Sequence, residues 1–273
     1  MLYLQLNWFV ATFVLALLFA CGCERQRVER VEWTVMDTVA AVQWKTGAHV
    51  DGKRLTATAR GIFEQVEGLL NAFDSESELS RLAKLPDAEV LAKCNPLVRS
   101  CYAAAFRLRD ETDGLFNPRW RGQDTMDLGA IAKGFAVDLA ANELAKSCGE
   151  AEVLVDLGGN LKAVSGTWTT GVAAPDFQTF QTSQTSQTFQ TFVLSSPMSC
   201  ATSAEYFRGK HIKDGRTGKD ADAGICSVTV IHPQSAMLAD GLSTVMFLMG
   251  RERGEKFFRE RYPEAKVIWI NER

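Results

Sequence analysis

The order of helical and extended apolar patterns constrains the fold of this chain most strongly. Between Leu55 and Phe73 the apolar residues recur at the spacing of one helix face. Asn95 as an N-cap and Pro96 in the first turn predict a second helix, which ends near Asp113-Gly114. Further helices are predicted at Ile131–Ser147 (closed by Gly149), at Ser235–Met249 (closed by Gly250) and at about Glu255–Arg261.

Short segments rich in Val, Ile, Thr and Trp predict strands. They are Glu32–Thr38, Ala40–Trp44, Glu152–Asp156, Trp168–Ala173, Phe192–Ser195, Cys226–Ile231 and Lys266–Ile270. Helices and strands do not alternate strictly, so the pattern favours an α+β fold over a doubly wound parallel sheet.

Charge and composition exclude one class of partner. The chain has 273 residues, with 30 Lys and Arg against 33 Asp and Glu, and 46% of the residues are hydrophobic. This apolar content suffices for a sizeable core. A net charge of −3 leaves no basic footprint, so no nucleic-acid partner is predicted.

Met1–Cys23 contains no charged side chain and is mostly apolar. A small residue before Cys21 or Cys23 resembles the lipobox of bacterial lipoproteins, in which the Cys carries the lipid. An uncleaved membrane anchor and a misplaced start codon are the alternatives, because a positive n-region is missing. We therefore expect a signal or anchor segment at residues 1–23. A body at residues 24–273 would then lie outside the cytoplasm, on the periplasmic side, tethered to a membrane.

The body contains Cys94, Cys101, Cys148, Cys200 and Cys226, without a CxxC or zinc spacing. Burial as small apolar residues is expected for most of them, and one disulfide pair is possible in an oxidising compartment.

Phe177–Phe192 repeats the triplet Phe or Ser, Gln, Thr. This segment has no charge and neither helical nor strand periodicity, which predicts a solvated loop inserted between two strands.

Three segments could carry chemistry. His211 lies in a turn-rich His-Ile-Lys-Asp-Gly sequence, which a tight loop also explains. Asp127–Gly134 leads into the third helix, where small residues, helix amides and Lys133 are compatible with phosphate. Asp240 and Thr244 are four residues apart on one helix face, and a carboxylate with a hydroxyl suits Mg²⁺, although helix capping would explain both.

The series of motifs in this chain resembles that of the ApbE family. The motifs are MDT (36–38), FDSESELSRL (73–82), GLFNP (114–118), DLGAIAKGFAVD (127–138), VDLGGN (155–160), ATSAEYFR (201–208), HIKDGRTG (211–218) and ADGLSTVMFLMG (239–250). The resemblance implies an ApbE-like, T-fold-like α+β architecture. It also implies a Mg²⁺-dependent, extracytoplasmic FAD:protein FMN transferase, which is often a lipoprotein.

The resemblance also implies roles for individual residues. Asp240, Thr244 and the Ala130 carbonyl would bind the metal, and Ser243 stands where some relatives have another carboxylate. His211 would be the base or would orient a phosphate, alongside Asp240 and Thr244 as catalytic residues. Contacts to FAD would come from Met36, Phe73, Leu115, Phe116, Asn117, Asp127, Lys133 and Ile212.

The implied reaction transfers FMN from FAD to a Thr or Ser hydroxyl of an acceptor protein and releases AMP. Alternatives are a non-catalytic FAD-binding lipoprotein and an FAD pyrophosphatase that produces FMN and AMP.

The chain departs from the family pattern in three places. Only about eight residues separate Pro118 from Asp127, where the family usually carries several tens that wall the flavin pocket. We therefore expect FAD to be held loosely or in another pose. Gly215 replaces the usual Pro, and Ala204-Glu205 stands where Gly-Asp is common.

Overall fold

The computed structural model describes residues 27–45, 50–173, 188–205, 211–222 and 224–271. The predicted anchor at residues 1–23 lies outside these ranges. Within them no helix is long and apolar enough to cross a bilayer. The helices are α1 (Gly52–Leu70), α2 (Glu78–Leu82), α3 (Asp87–Lys93), α4 (Arg99–Glu111), α5 (Ala132–Ala145) and α6 (Ala236–Arg261). The strands are β1 (Val28–Val35), β2 (Thr38–Lys45), β3 (Val153–Leu157), β4 (Asn160–Ala163), β5 (Thr167–Ala173), β6 (Thr188–Ser195), β7 (Ser199–Ala204), β8 (Ile225–His232) and β9 (Lys266–Asn271).

Seven strands form one antiparallel sheet in the order β1-β2-β3-β4-β7-β8-β9. The chain leaves this sheet after β4, forms the separate hairpin β5-β6, and returns as β7 beside β4. Helix α5 packs against both α1 and α6, and each of the three helices contacts strands of the main sheet. The α+β prediction is confirmed.

Two tight turns define hairpins of the main sheet. Gly158 and Gly159 join β3 to β4 with φ of 61° and 85°, a left-handed conformation that matches the twist of paired strands. Met36 and Asp37 join β1 to β2 with φ of 52° and 53°. The predicted strand Glu32–Thr38 is therefore wrong at its end, since these two residues form the turn.

The predicted helices are present with shifted ends. Helix α4 begins at Arg99, three residues after Pro96, because the Asn95 side chain accepts a bond from the Leu97 N–H and forms a local turn instead of an N-cap. Gly250 interrupts α6 with a φ of 71° and a ψ of 171°. The sequence predicts the end of a helix at this residue. The two halves of α6 match the two helices predicted there.

Helices α2 and α3 and strands β4 and β7 were not predicted. All four are short, and β7 consists of small residues (Ser-Cys-Ala-Thr-Ser-Ala) with little strand preference. Pairing with β4 and β8 holds β7 in place, so tertiary contacts decide its conformation.

The triplet repeat lies at the β5-β6 hairpin. Strand β6 begins at Thr188 and pairs with β5 from Thr188↔Ala173 onward, so the loop predicted for Phe177–Phe192 is wrong for its last five residues. Backbone pairing explains the difference, since it does not require the side-chain alternation that this segment lacks. The earlier part of the repeat lies outside the described residues.

The cysteines of the body are all buried, and none of the five forms a disulfide. Burial raises the pKa of the Cys200 thiol to about 12. The predicted role of these cysteines as small apolar core residues is confirmed.

Candidate functional site

A cavity of about 880 Å³ lies between the main sheet, the β5-β6 hairpin, the N-terminal halves of α5 and α6, and the loops that contain Phe73, Asn117 and His211. Its volume is within the range of small-molecule binding pockets. Of the residues predicted to carry function, the cavity brings together Phe73, Phe116, Asn117, Asp127, Ala130, Lys133, His211, Ile212, Asp240 and Thr244. Ten residues from five separate sequence motifs therefore meet at one place.

Asp240 lies at the centre of the contact between α5 and α6. Its Oδ2 accepts the Gly134 N–H at 2.9 Å, and Gly134 is in the first turn of α5. The residue at the N-cap of α5 is Ile131, which has no side-chain acceptor, so Asp240 satisfies a helix donor that the N-cap cannot. Asp240 therefore does cap a helix, which is one of the two roles considered from the sequence. It also lines the cavity.

The capping is reciprocal. Asp138 on α5 accepts the Ala236 and Met237 N–H groups at 2.9 and 3.0 Å at the start of α6. Its carboxylate is also 2.7 Å from the Lys162 ammonium of β4. Each of the two helices therefore fixes the N-terminus of the other, which sets the position of the cavity wall.

The close approach of the two helices depends on Gly134. A Cβ at this position would lie 2.2 Å from the Ala236 carbonyl oxygen and 2.7 Å from the Asp240 Cβ. Only a residue without a side chain allows the Gly134 N–H to reach the carboxylate.

Asp240 and Thr244 share one face of α6, as the spacing predicts, and both line the cavity. The Thr244 hydroxyl is 3.1 Å from the Ser203 Oγ on β7. Burial raises the pKa of the Asp240 carboxyl, while Lys133 and the Gly134 N–H oppose this shift. Ser243 does not line the cavity; its hydroxyl donates to the Asp240 carbonyl oxygen and lies 2.7 Å from the Ser203 Oγ.

The turn before α5 collects polar groups beside this carboxylate. The Asp127 Oδ1 accepts the Gly129 N–H at 2.8 Å, and the Lys133 ammonium donates to the Gly129 carbonyl at 2.7 Å. The next residue, Ala130, also lines the cavity. Ala130, Asp240 and Thr244 offer a carbonyl, a carboxylate and a hydroxyl, which are the hard oxygen donors that Mg²⁺ prefers.

Such a donor set fits magnesium and does not resemble a zinc or iron centre. The residues that the structure describes contain no group of three or more His, Cys, Asp and Glu side chains able to hold a metal.

The loop that contains His211 is docked on the Gly114–Pro118 motif. The Gly215 N–H donates to the Leu115 carbonyl at 2.8 Å, and the Asn117 amide donates to the Gly215 carbonyl at 3.1 Å. A Cβ on Gly215 would lie 2.3 Å from the Asn117 Cβ. This contact explains the glycine at a position where the family usually has proline, since proline has no N–H to donate.

The short segment between Pro118 and Asp127 is folded back tightly. The Asp127 N–H donates to the Pro118 carbonyl at 2.8 Å. Arg119 is buried and bonds to the carbonyls of Ala83, Leu85 and Gln123 and to the Asp87 carboxylate. Pro118, Trp120 and Arg121 line the cavity, so this segment forms a wall in spite of its length.

Two residues expected to contact FAD do not line the cavity. Met36 is in the β1-β2 turn, where its N–H donates to Glu67 at 2.9 Å, and Thr38 lines the cavity instead. Leu115 is buried, and its carbonyl accepts the Gly215 N–H. Both assignments stay predictions.

Sequence reasoning missed part of the lining. The missed residues are Thr38, Pro118, Trp120, Arg121, Gly129, Gly158, Gly159, Asn160, Leu161, Gly171, Val172, Ala173, Phe192, Cys200, Thr202, Ser203, Ala204, Lys213, Thr229 and Leu248. Most belong to strands that pair far apart in sequence, and for these no local signal exists. For the Gly158-Gly159 turn a signal did exist, since both glycines belong to the VDLGGN motif (155–160).

Solved structures share this fold. The flavin transferase ApbE from Vibrio cholerae superposes with a TM-score of 0.72 at 22% identity, covering 90% of this chain and 94% of that one. The flavinyl transferase ApbE of Pseudomonas stutzeri, solved in its apo form, also gives 0.72, at 21% identity and with 91% and 92% coverage.

Sequence relatives extend the comparison. The FAD:protein FMN transferase of Vibrio cholerae serotype O1 is 26% identical, over 91% of this chain and 89% of that protein. The FAD:protein FMN transferase of Klebsiella pneumoniae is 35% identical over 50% of this chain and 42% of that protein. The model of the ApbE family matches residues 121–269, more than half of the chain. The chain therefore belongs to the ApbE family.

Proposed function

We propose that the protein is a Mg²⁺-dependent FAD:protein FMN transferase that transfers FMN to a Thr or Ser hydroxyl of an acceptor protein and releases AMP. The observation that carries the proposal is that Ala130, Asp240 and Thr244 line the same cavity as Lys133 and His211. The relatives named as FAD:protein FMN transferases support the same reaction.

The oxygen donors of the cavity fit the metal. Ala130, Asp240 and Thr244 would hold it, and a bound Mg²⁺ neutralises charge on the pyrophosphate oxygens. Capping of α5 orients the Asp240 carboxylate before any ligand binds, which lowers the cost of organising the site.

The cationic side chains of the cavity suit an anionic substrate. Lys133, Arg121 and Lys213 line it, against the carboxylates of Asp127 and Asp240. Lys133 is held by the Gly129 carbonyl at the N-terminus of α5, where a helix favours phosphate. We assign Lys133 to the pyrophosphate.

In the reaction the acceptor hydroxyl oxygen attacks the FMN-side phosphorus. The new phosphoester bond forms as the bond to the AMP oxygen breaks, and AMP leaves. His211 lines the cavity and is the candidate to take the hydroxyl proton or to orient a phosphate. Positioning and charge neutralisation account for most catalysis in transfers of this kind.

The test is AMP release from FAD, together with the mass of an acceptor peptide that contains Thr or Ser. We expect AMP and an FMN mass increment with Mg²⁺, and neither with EDTA. Asp240→Asn should lower the rate at least about a hundredfold, because it removes a metal ligand but keeps an oxygen for the Gly134 N–H.

Asp51→Asn is the matched control. Asp51 caps α1 with its side chain, outside the cavity, and Asn caps equally well, so activity should be unchanged. Full activity in Asp240→Asn or in EDTA would contradict the metal site. FAD binding without AMP release would favour the binding-protein alternative, and AMP without modified peptide would favour the pyrophosphatase.

We also propose that residues 1–23 export the protein and anchor it to a membrane through Cys21 or Cys23. The absence of charge in this segment supports the proposal. Expression of Cys21→Ser and Cys23→Ser variants, followed by membrane fractionation, tests it. One variant should lose the lipid mass and leave the membrane, and retention of both variants would contradict lipidation.

A further inference from the structure

Three hydroxyl groups lie in a row beside the candidate metal ligands. The Ser243 Oγ on α6 is 2.7 Å from the Ser203 Oγ on β7, and the Ser203 Oγ is 3.1 Å from the Thr244 Oγ1 on α6. The first distance is typical of a hydrogen bond between hydroxyl groups, and the second is slightly longer. We call these three residues the hydroxyl chain. Only Ser203 and Thr244 line the cavity.

The first bond of the hydroxyl chain has a fixed direction. A serine hydroxyl has one hydrogen and two acceptor lone pairs. The Ser243 hydroxyl donates to the Asp240 carbonyl oxygen at 2.8 Å, and a carbonyl oxygen can only accept. The Ser243 hydrogen is therefore already used. In the contact with Ser203, Ser243 accepts and Ser203 donates.

The direction of the second bond follows from the first. Because Ser203 gives its single hydrogen to Ser243, it can only accept from Thr244. The hydrogen of the Thr244 hydroxyl is thus held toward β7, and its remaining lone pair is free for a ligand in the cavity. A hydroxyl group binds a cation through an oxygen lone pair, so this is the orientation that a metal ligand needs.

Burial protects this direction. Ser243 is completely buried, and Ser203 is only 9% exposed. Reversing the hydroxyl chain would require Ser243 to give up its bond to the Asp240 carbonyl oxygen. That oxygen and the hydroxyl would then have to find other partners in a buried place, which is unfavourable.

We propose that Ser243 and Ser203 are positioning residues that hold the Thr244 hydroxyl as an acceptor toward the metal, and that Ser243 acts through Ser203. The inference rests on the proposed metal site. It gives a function to Ser243, which stands where some relatives have another carboxylate. Serine adds no charge at this position and instead sets the direction of a neighbouring hydroxyl group.

The test is a titration of the protein with Mn²⁺, which binds the same hard oxygen ligands as Mg²⁺. Electron paramagnetic resonance of the free ion gives the dissociation constant. Ser243→Ala leaves every side chain of the cavity wall in place. In this variant Ser203 loses its acceptor and donates to Thr244, which turns the Thr244 hydrogen away from β7. We expect the dissociation constant for Mn²⁺ to rise about tenfold.

A double-mutant cycle tests whether Ser243 acts through Ser203. Ser203→Ala removes the acceptor of Thr244 but adds no competing donor, so we expect a smaller rise of about threefold. Adding Ser243→Ala to Ser203→Ala should cause no further rise, because no hydroxyl remains to transmit the change. Additive effects, or unchanged Mn²⁺ affinity in Ser243→Ala, would overturn the proposal.

Ser199→Ala is the matched control. Ser199 is on the same strand as Ser203, is fully buried and donates to the His232 carbonyl at 3.3 Å, but it does not line the cavity. This variant also loses one buried hydroxyl bond, and its Mn²⁺ affinity should equal that of the unaltered protein. A tenfold loss here would show that any buried hydroxyl of β7 has the same effect, against a specific role.

A second readout separates positioning from general loosening of the cavity. The affinity for FAD in EDTA, measured by calorimetry, does not involve the metal. It should change less than twofold in Ser243→Ala. An equal loss of FAD and Mn²⁺ affinity would mean that the wall itself has moved, and the proposal would be wrong.

The outcomes also distinguish this inference from the proposed reaction. If the unaltered protein binds Mn²⁺ but releases no AMP from FAD, the reaction fails and the hydroxyl chain can still be measured. If it binds no Mn²⁺, the metal site and this inference fail together. If it binds Mn²⁺ and releases AMP while Ser243→Ala has no effect, only this inference fails.

Discussion

Asp240 combines two roles that sequence reasoning treats as alternatives. One carboxylate oxygen caps α5 through Gly134, while the side chain also lines the cavity with Thr244. A helix cap is therefore no argument against a ligand role, because a carboxylate has two oxygens and several lone pairs. The cap also holds the carboxylate in one orientation.

His232 is the residue for which the structure predicts a pH effect on stability. Its Nδ1 accepts the Gln234 and Ser235 N–H groups at 3.1 and 2.9 Å, so the ring must be neutral at that nitrogen. Burial lowers the pKa of His232, and this outweighs the raising effects of Glu264 and Asp138. Below about pH 6.5, the pKa of an unperturbed histidine, the unfolded state therefore binds more protons at His232 than the folded state does.

The stability contributed by neutral His232 is present above that pH and is lost as the pH falls. We expect the free energy of unfolding, measured in urea, to decrease by up to about 1.4 kcal/mol per pH unit below pH 6.5 from this residue alone. His232→Asn keeps an acceptor for the same N–H groups and should show a shallower pH dependence. Parallel curves for both proteins between pH 7.5 and 5 would show that His232 does not titrate in this way.

Among the helices and strands, the reciprocal contact of α5 and α6 organises the cavity. Each helix supplies the aspartate that caps the other, through Asp240 and Asp138. Helix α6 itself contains two segments, because Gly250 has backbone angles that only glycine readily adopts. The first segment carries the candidate metal ligands, and the second leads to β9.

Gly250→Ala should destabilise the fold by about 1–3 kcal/mol, because alanine is strained at a φ of 71°. Denaturation in urea at constant pH measures the change. Gly61→Ala is the control, since Gly61 lies inside α1 with no atom within 4 Å of an added Cβ. This variant should be more stable by about 0.4–1 kcal/mol. A neutral Gly250→Ala variant would mean that α6 can continue through this position.

At the scale of the whole molecule, the cavity is lined by segments that are far apart in the chain. The β3-β4 turn, the start of α5, the His211 loop and the first half of α6 all contribute lining residues. We therefore expect a ligand in this cavity to contact several distant segments and to stabilise them together.

FAD with Mg²⁺ at about a hundred times its dissociation constant should raise the free energy of unfolding by about 2.7 kcal/mol. For a domain of this size that corresponds to roughly 5–10 °C in Tm, measured by calorimetry. Asp240→Asn should reduce the part of the shift that depends on Mg²⁺. No shift in the unaltered protein at saturating FAD would contradict the proposed site.

The sequence predicts those helices and strands that have a local apolar pattern, and it does not predict those that depend on tertiary contacts. Apolar periodicity identified the main helices and most strands, because burial on one face leaves a local pattern. Strand β7 has no such pattern and is held by its pairing with β4 and β8. The end of the triplet repeat became strand for the same reason, since β5 supplies its partners.

By itself the sequence determined the α+β class, the residues of the motifs and the spacing that places Asp240 and Thr244 on one face. Only the tertiary structure decided that Asp240 caps α5, that Met36 lies in the turn between β1 and β2, and that Arg121 contacts both Phe73 and Trp120. The physical reason is the separation along the chain over which each interaction acts. Periodicity and turn preference act between neighbours in the chain, whereas a shared carboxylate, a buried pairing or a stacked guanidinium exists only once distant segments meet.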